Sequence, residues 1–262
     1  MEINKSLLDR FAEFIAGRIT AQSSGYEPYT PSEPEILLQT LEPGDVLLIE
    51  GNQRVSAAIK YLTQSTWSHA ALYIGDALPV TEKEKPQPRL IEVNLGEGCV
   101  AIPLNKYETY NTRICRPVGL TRKDRKALVD YMIDHLGTAY DTRNILDLLR
   151  YLLPTPPVPT RWRRKMIAFG SGDPTRAICS TLIAQAFQSI RYPILPDVEK
   201  LKDCLEDDCE TYAVDEILHI RHHSLFALRD FDLSPYFKVI KPTVQQGFNY
   251  HDLTWGEREP TD

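Results

Sequence analysis

Between Gly44 and Pro117 the chain is a succession of short apolar runs closed by turns, and this pattern limits the fold more than any other feature. Val46-Leu47-Leu48-Ile49-Glu50 follows the turn Leu41-Glu42-Pro43-Gly44-Asp45, and His69 to Ile74 is closed by Gly75-Asp76. Arg89 to Val93 and Cys99 to Ile102 flank Gly96-Glu97-Gly98, and Thr112 to Arg116 stops at Pro117. β-favouring residues bounded by Gly and Pro predict strands, and tight turns predict antiparallel neighbours. The charged, proline-bearing stretch 81–88 predicts a solvated connection. From Thr121 the period becomes helical, with Leu128, Tyr131, Met132 and His135 on one face of a helix that Thr121 caps. That helix is expected to run through Leu136 and end at Gly137. Strands followed by helices predict an α+β fold.

The flanking segments add further elements. Leu7, Leu8, Phe11, Phe14 and Ile15 predict an amphipathic helix near the start, followed by a proline-bearing loop over 23–35. Val55, Ala58, Ile59 and Leu62 predict a short helix between Gly51 and Ser65. Helices are also expected over 144–153, ended by Pro154 to Pro159, and over 178–190. Arg161-Trp162-Arg163-Arg164-Lys165 is a local basic cluster, read as a solvated face with a half-buried tryptophan. Tyr192 to Pro196 reads as a rigid extended segment, 206–210 as an exposed acidic loop and Pro235 to Ile240 as a last strand. The expected organisation is an N-terminal extension over 1–40, a principal domain over 41–196 with an insertion at about 143–175, and a C-terminal extension over 197–262 packed on it.

Composition removes several classes of function. A net charge of -6 over 262 residues argues against nucleic-acid binding through phosphate contacts. Glu2, Asp9, Glu13 and Arg18 interrupt the first apolar pattern, so neither a signal peptide nor a membrane span is expected there. Five cysteines without a CxxC pair argue for reduced thiols, hence a cytoplasmic protein. No metal or cofactor is expected, since His219, His222 and His223 lack the HExxH logic and read as solvated. The apolar face of the first helix needs burial somewhere, which leaves a homo-oligomer open.

Three residues could together carry chemistry. His69 opens a strand, where a rigid backbone can present an imidazole, although taken alone it reads more simply as a core or edge histidine. Cys179 starts the apolar helix Cys-Ser-Thr-Leu-Ile-Ala, where unpaired N–H groups and the macrodipole stabilise a thiolate. A small buried hydrophobe is the plainer account of that residue by itself. Cys99 and Cys115 read as strand residues, and Cys204 and Cys209 have acidic surroundings that raise a thiol pKa. Glu92 interrupts an apolar strand, either as the orienting partner of an imidazole or as an edge glutamate facing water.

Ser-His-Ala-Ala-Leu-Tyr-Ile-Gly, then Ile-Glu-Val with a Gly-Cys-Val return, then Gly-Thr-Ala-Tyr-Asp, then Cys-Ser-Thr-Leu-Ile resembles the circularly permuted papain-like group. The sequence is similar to the NlpC/P60 superfamily, specifically the YiiX/YaeF-like amidases. The order His69, Glu92, Cys179 is the permuted one, shared with lecithin retinol acyltransferase-like proteins. The resemblance spans roughly Pro43 to Pro196; the N-terminal helix, the 143–175 insertion and the region beyond Pro196 depart from it. It implies a small antiparallel sheet or barrel packed on the nucleophile helix, with Cys179 as nucleophile, His69 as general base and Glu92 as the polar third residue. Tyr140 is implied to line the site, with Ser68 and Ser180 flanking it as further substrate contacts. The implied reaction is acyl transfer to water through a thioester, on a small-molecule, peptide or lipid-like amide or ester. A catalytically silent binding module for a peptide or lipid, and an acyltransferase, are the competing readings.

Overall fold

In a computed structural model of the chain, the described residues are 28, 34–79, 86–94, 97–138, 178–195, 197–200, 216–219, 226–245, 247, 249 and 251. Helix α1 (Pro34–Thr40) leads into β1 (Val46–Ile49), α2 (Arg54–Thr63) and β2 (His69–Tyr73). Strands β3 (Pro88–Asn94) and β4 (Gly98–Pro103), a short 3-10 helix (Leu104–Tyr107) and β5 (Thr112–Pro117) follow. Beyond them are α3 (Arg122–Asp134), α4 (Ile178–Ser189), β6 (Asp197–Lys200), β7 (Glu216–His219), α5 (Leu228–Leu233), β8 (Phe237–Ile240) and α6 (Pro242–Gln245).

The expected α+β architecture is present. Six strands form one antiparallel sheet in the order β4-β3-β2-β1-β5-β8, while β6 and β7 pair separately. The turn that closes β2 depends on Gly75, which has a φ of +63° and lies so close to Pro43 that a Cβ would stand 2.9 Å from its Cγ. The predicted last strand, now β8, pairs with β5 and forms an edge of the main sheet.

Alternation along the strands divides the core into two layers. On one face Leu48, Ala70, Leu72, Ile91 and Val93 pack against Leu128 and Met132 of α3 and Ile183, Ala184 and Phe187 of α4. On the other, Leu47, Ile49, Ala71, Tyr73 and Leu90 join Leu37 of α1 and Leu104 and Tyr107 of the 3-10 helix. Strand β1 is covered on both faces, so Val46 to Ile49 reads as an unbroken apolar run instead of an alternating one.

Several boundaries differ from expectation for identifiable reasons. Thr121 caps α3 as predicted, its hydroxyl accepting from the Asp124 N–H, an arrangement generally worth about 1 kcal/mol. The helix ends at Asp134, two residues early, and Gly137 then turns the chain with a φ of +79°. Pro117, expected to stop β5, is its last residue opposite Phe237. The pairing with β1 ends at Cys115, so no ladder partner on that side needs the N–H that proline lacks. The predicted helices near the start and over 144–153, the 143–175 insertion, the 161–165 cluster and the 206–210 loop lie outside the described residues. Among the described residues no helix is long and apolar enough to cross a membrane.

Candidate active site

His69 is the first residue of β2 and stands opposite Ile49 of β1. Glu92 is on the adjoining strand β3, opposite Ala71. A separation of two residues along β2 keeps His69 and Ala71 on one face, so His69 and Glu92 are diagonal neighbours there. The His69 Nε2 lies 3.0 Å from Glu92 Oε2. Of the two accounts the residues left open for Glu92, the edge glutamate facing water is thereby ruled out: its side chain is fully buried and paired.

Three further donors converge on the same carboxylate, and none was visible as part of a site in the sequence. Asn94 Nδ2 donates to Oε1 at 2.8 Å and Lys106 Nζ donates to Oε1 at 2.5 Å. The Tyr107 hydroxyl donates to Oε2, beside the histidine. Each oxygen therefore receives two donors, which fills the hydrogen-bonding capacity of a buried carboxylate. The signal that could have found them is the cost of an apolar-strand glutamate, which demands a countercharge nearby. Lys106-Tyr107 closes the 3-10 helix that follows β4.

Burial by itself would raise the Glu92 pKa, but the hydrogen bond and charge of His69, together with Lys106, outweigh it and hold the carboxyl at about 2 against an ordinary 4.5. A lowered folded-state pKa contributes stability that is present above about 4.5 and lost as pH falls toward about 2. Allowing for the exposed end of Lys106, that contribution is on the order of 2–3 kcal/mol. Glu92→Gln should therefore lower the urea midpoint at neutral pH, and its deficit against wild type should shrink across that acid window. A deficit that stays constant with pH would remove the charge from the account.

The other expected site residues fall as follows. Cys179 is the second residue of α4, and its side chain lies outside the described residues, as does all of Tyr140. Helix α4 packs across β2 and β3 on the face carrying Ala70 and Leu72. Ser68 is buried, and its hydroxyl accepts from the Gly51 N–H at 2.9 Å. Ser180 is also buried, donating to the Phe226 carbonyl at 2.9 Å and so tying α4 to the segment before α5. Cys99 and Cys115 lie in β4 and β5 as expected, both buried. Burial pushes the Cys99 thiol up to about 11 and the Cys115 thiol higher still, so neither is poised as a thiolate. Among the described residues no group of three or more His, Cys, Asp or Glu side chains is arranged to hold a metal ion.

A buried acid–imidazole pair on adjoining antiparallel strands, followed in the chain by a cysteine on a helix, can be compared with known families. Residues 40–150 match the family described as permuted papain-like amidase enzymes, YaeF/YiiX, the C92 family. The expected resemblance to the YiiX/YaeF-like amidases holds over that span. It contains His69, Glu92 and Tyr140 and ends before Cys179. That family is described as one of amidase enzymes. A solved structure described as the metalloprotein yiiX of Escherichia coli O157:H7 is similar at 16% identity and a TM-score of 0.42, over 76% of this chain and 96% of that one. No curated protein matches the chain.

Proposed function

We propose that the chain is a cysteine hydrolase of the amidase type, with Cys179 as nucleophile, His69 as general base and Glu92 as the carboxylate that orients the ring. The observation that carries this reading is the 3.0 Å hydrogen bond from His69 Nε2 to a fully buried, charged Glu92. With Nε2 committed to the carboxylate, Nδ1 is the nitrogen assigned to proton exchange with the thiol. Cys179 occupies the first turn of α4, where the N-terminal N–H groups and the macrodipole favour a thiolate and can hold an oxyanion. Because α4 packs on the opposite face of β2 from Glu92, the reading has thiol and ring meet around the N-terminal end of that strand, where His69 begins it.

In this scheme the Cys179 thiol gives its proton to His69 and attacks the carbonyl carbon of an amide. The tetrahedral intermediate collapses with cleavage of the C–N bond, and the imidazolium protonates the departing amine. Water then attacks the thioester while His69 takes a proton from it. Collapse releases the carboxylic acid and returns the thiol. Tyr140 is assigned to the wall of this site, whereas Ser68 and Ser180 are buried beside His69 and Cys179 in the chain, their hydroxyls engaged by Gly51 and Phe226.

The test is to incubate the full chain with γ-linked and lysine-containing peptide amides and with lipid esters. Products and the acylated peptide are then identified by mass spectrometry. The reading expects turnover with an acyl group on the Cys179 peptide, and loss of both in Cys179→Ala. An adduct on another residue, turnover surviving in Cys179→Ala, or neither turnover nor adduct across the panel would overturn it. Transfer of the acyl group to an added amine in preference to water would make the protein an acyltransferase.

A further inference from the structure

We propose, resting on the reading of His69 as general base, that Lys106 is a positioning residue that balances the charge of Glu92 and so sets how readily His69 gives up its proton. The geometry divides Glu92 between two clients. Oε2 serves His69 and Tyr107, whereas Oε1 serves Asn94 and Lys106. Among these donors Lys106 is an ammonium, while Asn94 and Tyr107 donate as neutral groups.

The physical consequence concerns the imidazole. A buried carboxylate beside a histidine stabilises the imidazolium form, and in a low-dielectric surrounding the effect is strong. A ring held permanently as imidazolium cannot accept the proton of a thiol or of water near neutral pH. Lys106, 2.5 Å from the far oxygen, turns the carboxylate into one half of an ion pair. His69 then feels a hydrogen-bond acceptor of reduced net charge, which orients the ring without locking it protonated.

The location of Lys106 suits that role. The 3-10 helix is anchored by the buried Leu104 and Tyr107, and the lysine ammonium lies 5.6 Å from the Tyr107 ring centroid. Its side chain is 40% exposed, so its own charge remains hydrated while its end reaches the buried acid. Among the described residues, the other groups near His69 do not substitute for it. Tyr107 faces the imidazole with ring centroids 6.1 Å apart. On the β1 side the partner is Ile49, and the next residue, Glu50, is paired with Lys60 and Asn111. Glu97 shares the Asn94 amide at 2.8 Å. From α4 the titratable group on the first turn is Cys179.

The test follows the His69 ring by proton NMR titration in the full chain, with its resonance identified by its loss in His69→Ala. Wild type is compared with Lys106→Gln and Lys106→Arg, each checked for folding by circular dichroism. Lys106→Met, which keeps the alkyl stem over Tyr107, replaces Lys106→Gln should that variant not fold. Removing the charge should raise the His69 titration by about one pH unit, and arginine should restore it. A His69 titration unchanged in the charge-free variant would overturn the proposal, since a merely structural lysine would alter stability and leave the titration in place. The titration needs no reaction, so an unreactive Cys179 with a shifted His69 would refute the catalytic reading and leave the charge balance standing.

Discussion

His69→Ala is expected to lower kcat/KM for amide hydrolysis by about 10²–10⁴-fold, the usual contribution of a positioned general base. The loss should fall on kcat, because the ring acts on the reacting proton and not on substrate affinity. The folded state should be affected as well. Removing the imidazole takes one of four donors from a fully buried carboxylate, although Lys106, Asn94 and Tyr107 remain on it. Circular dichroism and the urea midpoint separate the two effects. Folded His69→Ala retaining wild-type kcat would contradict the assignment of the base.

The largest loss of stability is expected at Arg116, far from this chemistry. Asp45 follows the turn that begins β1 and is almost wholly buried. Burial pushes its carboxyl up, and Arg116 pulls against that shift through bonds of 2.9 Å from Nε and 2.7 Å from Nη2. The same guanidinium reaches Glu42 at 2.6 Å and the Thr40 carbonyl at 2.5 Å, joining β5 to the end of α1 and the turn before β1. Arg116→Ala would leave Asp45 buried with the Glu42 N–H as its remaining partner in this cluster. The expected cost is about 3–5 kcal/mol, read from urea denaturation. Adding Asp45→Asn should recover part of it, because the stranded charge is then gone. A cost below about 1 kcal/mol would mean that Asp45 relaxes into water, as surface pairs do.

Much of the sheet was legible because local chemistry specifies it. Apolar runs punctuated by Pro43-Gly44, Gly75-Asp76 and Gly98 mark β1, β2 and β4, and the Thr121 hydroxyl marks the start of α3. What local pattern cannot supply is non-local pairing. The strand ending at Ile240 was readable as a strand, but its place beside β5 depends on a register between residues more than a hundred positions apart. The site divides in the same way. His69 and Glu92 were singled out because a polar residue in an apolar strand needs a reason. Lys106 and Tyr107 were not, since a lysine and a tyrosine in a turn need none until the β3–β4 hairpin brings them to Glu92.

Whether Cys179 and His69 form a reactive pair is read from the rate of Cys179 alkylation by iodoacetamide from about pH 5 to about pH 9, peptide by peptide in the full chain. Wild type and His69→Ala are compared. The account predicts a Cys179 thiol that reacts well below the ordinary thiol pKa of about 8.5, faster than Cys99 and Cys115, and that loses this advantage without His69. A Cys179 that alkylates only in the ordinary thiol range, or that is indifferent to His69, would contradict the account.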